Sequence, residues 1–178
     1  SFPKGVRFQP SDEELIVHYL KKKISGKQLP PNRIHEVNLY EYSLKVLTEI
    51  YKLLPGRKTE WYFLTSRKKK YPNGKRPNRR ASNGYWKAIG IDKDIKNGNQ
   101  IIGHKRSLDF NEGKHLCGKR TEWKMHEYRL DENSLPPTSQ RSRDSVQLDD
   151  WVLCKIYKKG DKKKNDNNED AENQNNEE

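Results

Sequence analysis

The sequence predicts an α+β domain, an antiparallel β-sheet with a few helices outside it, and three observations carry that prediction. Apolar residues recur at helical spacing only before Gly56. After Gly56, five short β-rich runs follow one another with turn residues between them. The hydrophobic fraction is only 30%, but four Trp and nine Tyr supply large rigid bodies for a thin core around a sheet. At 178 residues the chain is long enough for one well-cored domain and hardly for two.

The elements follow in order. Ser11-Asp12-Glu13-Glu14 is a helix start: Ser11 caps a free backbone N–H, Glu14 reaches back, and the acids complement the helix dipole. Leu15, Ile16, Tyr19, Leu20 and Ile24 then repeat at helical spacing, with lysines at 21–23 and Gly26 as a stop, so a helix is expected over 12–24. A second helix is expected after Ser43, with Leu44, Leu47, Ile50, Tyr51 and Leu54 on one face before Pro55-Gly56. Strands are expected at 60–65, 85–91, 100–110, 122–130 and 150–157. Tyr71-Pro72-Asn73-Gly74, Lys96-Asn97-Gly98-Asn99 and Asn111-Glu112-Gly113 supply turns between them. Residues 135–148 are polar, contain Pro136-Pro137, and read as an excursion between two strands. The tail 161–178 has no aromatic residue and is expected to be disordered, which leaves 1–160 as the domain.

Charge points to a partner. The net charge is +12, but the tail holds seven acids and three lysines, which leaves 34 basic and 18 acidic residues, or +16, on the domain. Eight of the fourteen residues from Arg67 to Arg80 are Lys or Arg and none is acidic, and this run leads directly into Gly84-Tyr85-Trp86-Lys87-Ala88-Ile89-Gly90-Ile91-Asp92. A run of like charges cannot bury itself and suits a polyanion, with nucleic acid the first candidate. Standing alone, the run fits a solvated face or a nuclear-import signal equally well. Cys117 and Cys154 are too few for a disulfide scaffold, which fits a reducing, intracellular compartment, and no stretch is apolar for the length of a membrane span or a signal-peptide core. With no Met at position 1 and Met125 the only methionine, the chain is expected to be a fragment or a processed form.

Several separated segments together resemble the NAC domain of plant transcription factors. They are Gly5-Val6-Arg7-Phe8-Gln9-Pro10-Ser11-Asp12-Glu13-Glu14-Leu15, Glu60-Trp61-Tyr62-Phe63, Lys70-Tyr71-Pro72-Asn73-Gly74 with Arg76-Pro77-Asn78-Arg79, Gly84-Tyr85-Trp86-Lys87-Ala88, Met125-His126-Glu127-Tyr128-Arg129-Leu130, and Asp150-Trp151-Val152-Leu153-Cys154-Lys155-Ile156-Tyr157. Their order and spacing extend over about 3–159. The resemblance implies a twisted sheet, dimerisation through the N-terminal segment, and recognition of double-stranded DNA by an edge strand in the major groove. It also implies a homodimer, or a heterodimer with other NAC proteins, acting in the nucleus without a cofactor.

Carried over position by position, the phosphate-binding residues fall on Arg67, Lys70, Arg76 and Arg79, with Lys68, Lys75 and Arg80 making this arm more basic than is usual. On the strand, Trp86, Ala88 and Gly90 alternate with Tyr85, Lys87, Ile89 and Ile91, so one set is expected to face the core and the other the groove, with Asp92 and Lys93 closing the reading segment. The usual pattern there is Trp-Lys-Ala-Thr-Gly-Thr-Asp. Ile89 and Ile91 keep β-branching but remove two hydroxyls, which either turns recognition toward thymine methyls or leaves both side chains packed on protein. A second basic site is expected at Lys114, Lys119 and Arg120, near Cys117, which reads as an inert thiol or as a redox control. Arg7 and Glu14 match positions that form reciprocal salt bridges across a dimer axis; the helix cap competes for Glu14.

Other classes find less support. His115, Cys117, His126 and Cys154 could supply four zinc ligands, but the close-spaced Cys pair of a structural site is absent, and His126 reads better as a hydrogen-bonded residue within a sheet. There is no phosphate loop, nucleophile elbow or convincing carboxylate pair, so no enzyme is expected. A single-strand or RNA binder, stacking bases on aromatic residues, and a protein-binding adaptor that forms heterodimers remain as alternatives.

Overall fold

The helical spacing before Gly26 does form one helix, and it lies against one face of a sheet. The computed structural model describes residues 6–51, 60–66, 80–81, 83–115, 117–134 and 151–162. Helix bonding runs through Asp12–Glu14, Leu15–Leu20 and Lys21–Ile24, and Ser11 Oγ accepts the Glu14 N–H at 3.2 Å as the capping pattern predicts. The middle six residues wind as a π-helix, with the Lys21 N–H bonded to the Ile16 carbonyl five residues back. Sequence spacing gave no sign of that wider turn. Asp12 also does more than face the helix dipole: it accepts from Lys105 Nζ at 2.6 Å and from Tyr128 Oη at 2.7 Å, which ties the helix start to the sheet.

The second helix is Leu44–Ile50, capped by Ser43 Oγ on the Val46 N–H at 3.2 Å. Leu44 and Leu47 are buried as expected, but Ile50 is 59% exposed. Of the four described residues of the anticipated apolar face only two are fully buried, the helix ending at Ile50; Leu54 lies outside the described residues. The chain just beyond is held instead by Trp61 Nε1, which donates to the Tyr51 carbonyl at 2.9 Å.

Among the described residues, seven strands form one sheet in the order β1-β2-β7-β6-β5-β4-β3. They are β1 (Ile34–Glu36), β2 (Glu60–Ser66), β3 (Arg80–Ala81), β4 (Gly84–Asn97), β5 (Gln100–Glu112), β6 (Lys119–Leu130) and β7 (Trp151–Lys158). All neighbours are antiparallel except β1 and β2, so the α+β, mostly antiparallel prediction holds. The five anticipated strands are β2, β4, β5, β6 and β7. The chief correction is length: β4 continues past Ile91 to Asn97, so β4 and β5 form a long hairpin closed at Gly98-Asn99. The short, partly polar β1 and the two-residue β3 were not anticipated, because tertiary pairing and not local propensity makes them strands.

Alternate residues of the central strands enter two cores. Trp61, Phe63, Leu108, Met125, Cys154 and Ile156 pack with Leu39, Leu44 and Leu47 on one face. Tyr62, Leu64, Tyr128 and Leu153 pack with Leu15, Ile16, Tyr19, Leu20 and Ile24 of the first helix on the other. Burial on both faces makes 61–64 read as an unbroken apolar run. β4 enters the first core through Trp86, beside Leu108 and Phe110 of β5.

Candidate nucleic-acid interface

β4 is anchored at its start and bare in its middle. Tyr85 and Trp86 are 6% and 5% exposed, with the Tyr85 ring centred 5.0 Å from His115 and the Trp86 ring 5.0 Å from Phe110. From Lys87 to Ile91 every residue is exposed. The anticipated alternation therefore fails at Ala88 and Gly90: here the strand shows both faces to solvent, before Ile95 returns to the second core. On its outer edge only Gly84 and Tyr85 pair with β3, so among the described residues the backbone edge beyond Tyr85 has no strand partner. A bare edge of this kind is normally a liability for aggregation, blunted here by Lys87, Lys93 and Lys96.

The pairing of β4 with β5 is interrupted at the exposed segment. Ile89 pairs with Ser107 and Lys93 with Lys105, so Gly90, Ile91 and Asp92 stand opposite Arg106 alone. Gly90 has φ +67°, in the left-handed region where glycine is favoured, and a Cβ there would meet no atom within 4 Å. Ile91, next in the bulge, is 88% exposed, and Ile89 is 37% exposed. Ile91 therefore does not pack against the rest of this chain.

Asp92 closes the bulge. Its Oδ1 accepts from Arg106 Nε at 2.7 Å; its Oδ2 accepts from Arg106 Nη2 at 2.8 Å and from Arg129 Nη2 at 2.5 Å. The Arg106 hydrogen bond leads in holding the Asp92 carboxyl below its ordinary value, against the opposing effect of burial, with the charges of Arg106, Arg129 and His104 adding to it. Farther along the strand, His104 is flanked by Asp94 at 3.0 Å and Asp131 at 2.9 Å.

A second acid organises the cations beside Lys87. Asp109, only 2% exposed, is the cross-strand partner of Lys87 on β4 and of Lys124 on β6. It binds Lys124 Nζ directly and Arg120 Nε at 2.7 Å. The Arg120 side chain is still 65% exposed, so its outer guanidinium nitrogens remain available. Lys114, Lys119 and Lys93 are exposed, and Lys114 borders an open groove of about 570 Å³ with Tyr85 and His115.

Of the other residues singled out from sequence, Arg67, Lys70, Lys75, Arg76 and Arg79 lie outside the described residues, and Arg80 contributes its backbone to β3. Arg7 and Glu14 are both exposed. The zinc-capable residues are not gathered: Cys154 is buried in a core, Cys117 is exposed, and His126 sits in β6 with Nε2 3.4 Å from Tyr157 Oη. Among the described residues no group of three or more His, Cys, Asp or Glu is placed to hold a metal, and no helix is long and apolar enough to cross a membrane. Sequence reading missed Arg106, Arg129, Asp109 and Lys124, since only strand register brings them to the site.

The described residues form an α+β domain whose mostly antiparallel sheet carries a bare, lysine-lined edge strand. Residues 3–130 match the family described as "No apical meristem (NAM) protein", and the chain belongs to that family. It is 51% identical to "NAC domain-containing protein 2" of Solanum lycopersicum over 157 residues, which is 88% of this chain and 55% of that protein. It is 47% identical to "NAC transcription factor 56" of Arabidopsis thaliana over 178 residues (96% and 48%), and 48% identical to "NAC domain-containing protein 68" of Oryza sativa subsp. japonica over 161 residues (89% and 49%). All three carry NAC in their names, and the Arabidopsis thaliana protein is named a transcription factor. The chain spans about half the length of these relatives.

Proposed function

We propose that this domain binds double-stranded DNA in a sequence-specific way, as a dimer in the nucleus, and so regulates transcription. The observation that carries the reading is the unpaired edge of β4, where residues 87–91 are exposed on both faces between lysines. A protruding ribbon of this width fits the major groove. In this reading Lys87, Ala88, Ile89, Gly90 and Ile91 meet base edges, with the exposed isoleucines placed for thymine methyls. Arg67, Lys70, Lys75, Arg76, Arg79, Arg80, Lys93, Lys114, Lys119 and Arg120 hold phosphates. Arg7 and Glu14 pair across the dimer axis, which sets two half-sites side by side.

A single-strand binder would need exposed aromatic faces. Tyr85 and Trp86 are turned into the protein, and Tyr42 is the one exposed aromatic among the large hydrophobic residues described, so base stacking has no platform on β4.

Selection from random duplexes followed by sequencing tests the reading, with Lys87→Ala and the double change Ile89→Thr, Ile91→Thr run in parallel. The expected results are a defined motif for the parent, about tenfold weaker specific binding for Lys87→Ala, and an altered base preference for the threonine pair. With about six phosphates neutralised, the log–log salt slope should be about −5. A parent with no duplex preference at low salt, or one that prefers single strands, overturns the proposal.

A further inference from the structure

The bulge in β4 is a built feature, and its closure is the most heavily bonded point on the exposed edge. Three residues, Gly90, Ile91 and Asp92, span the space that Arg106 alone occupies on β5. An insertion of this kind leaves backbone groups unpaired and has no fixed shape unless something closes it. The side chain of the single opposing residue does so. Arg106 holds Asp92 with a two-pronged guanidinium grip at 2.7 and 2.8 Å, and Arg129 adds a third bond at 2.5 Å. Arg106 stands in register with the fully buried Glu127, whose charge also favours the guanidinium and which accepts from Tyr40 Oη at 3.2 Å.

We infer that Asp92 is a positioning residue: clamped by Arg106 and Arg129, it fixes the 90–92 bulge so that Ile89 and Ile91 are presented to a DNA groove in one geometry. The sequence expectation that Asp92 itself contacts DNA gives way to this assignment, because both of its oxygens are already engaged by protein donors. The inference rests on the duplex-DNA reading above. It makes a prediction opposite in sign to simple electrostatics. Removing a negative charge from a face that meets a polyanion strengthens binding to any sequence. Loosening the bulge instead weakens binding to the preferred sequence, since an edge that must be ordered on binding loses the benefit of preorganisation.

The test compares the parent with Asp92→Asn and Arg106→Lys, the latter keeping the charge but losing the fork. Binding is measured to the duplex selected by the parent and to a scrambled duplex, and amide hydrogen exchange is followed at 88–92 in the free proteins. The expected outcome for both variants is faster exchange at 88–92 and about a tenfold fall in the ratio of specific to non-specific affinity, with scrambled-duplex binding of Asp92→Asn unchanged or stronger. The double variant should be no worse than either single one, because both remove the same clamp. If the parent discriminates and both variants keep its ratio, the inference fails while the DNA reading stands. A loss confined to one base position in Asp92→Asn and absent in Arg106→Lys would make Asp92 a direct reader and also overturn it. A parent that shows no duplex preference sinks the DNA reading first, and the positioning role with it.

Discussion

Asp109 illustrates how much of this surface is arranged by single buried acids. Its carboxylate is almost wholly removed from solvent, and Lys124, at 9% exposure, is nearly as buried. A buried charge left without its partner is costly, so the pair is stable only as a pair. Asp109→Asn is therefore expected to lower stability by about 3 kcal/mol, measurable by urea unfolding, and to release Arg120 from its fixed direction. Lys124→Met in the same background should recover part of that loss, since it removes the stranded ammonium. At this scale the sequence was half legible. Lys87, Lys93, Lys114 and Lys119 could be picked out as solvent-facing cations because no apolar pattern encloses them. Asp109 and Lys124 could not, since 15 residues separate them and only the register of β5 and β6 makes them neighbours.

Strand β4 is legible as an element at its ends and illegible in its middle. Its aromatic start and the Gly98 turn are local signals, and both stand where the sequence puts them. The bulge depends on how β5 is registered against it, which no local propensity encodes. The start of the element makes a sharp demand of its own. A Cβ at Gly84 would lie 2.3 Å from the Asn111 carbonyl oxygen and 2.7 Å from the Phe110 ring, so β4 can approach β5 this closely only with glycine there. Gly84→Ala is expected to cost about 2 kcal/mol and to lower the melting temperature even in the absence of DNA. A melting temperature equal to the parent's would mean that this approach is looser than the structure has it. The first helix shows the same division between local and long-range causes. Its extent and its Ser11 cap were visible in sequence, whereas the π-turn at Leu15–Leu20, four of whose residues are buried, leaves no mark in the apolar spacing.

For the molecule as a whole, the ion pairs that join its parts set how it responds to acid. Burial pushes the Asp12 carboxyl up, but hydrogen bonds from Lys105 and Tyr128 and the Lys105 charge outweigh it and leave the pKa below the ordinary 3.8. Asp92 is lowered as well, led by its bond from Arg106. A carboxyl with a lower pKa folded than unfolded contributes stability that is complete above the unfolded value and disappears as pH falls through the folded one. His35, on the exposed side of β1 but stacked 4.3 Å from the Tyr51 ring, has its pKa lowered by partial desolvation, so the unfolded chain takes up that proton first and stability declines slightly once pH drops below about 6.5. Thermal melts from pH 8 down to 3 should thus show a shallow decline below pH 6.5 and a steep one below about pH 4, the steep part reduced in Asp92→Asn. A flat profile over that range would contradict the clamp. By itself the sequence determined the class of fold, the order of the main strands, the two helix starts and the concentration of positive charge, since each follows from periodicity, capping chemistry or composition within a short window. Tertiary structure alone decided which cations acquire acidic partners, that β4 is bare from Lys87 to Ile91, and that its middle is a clamped bulge. Those features arise from register between strands distant in sequence, where a shift of one residue would exchange every facing pair.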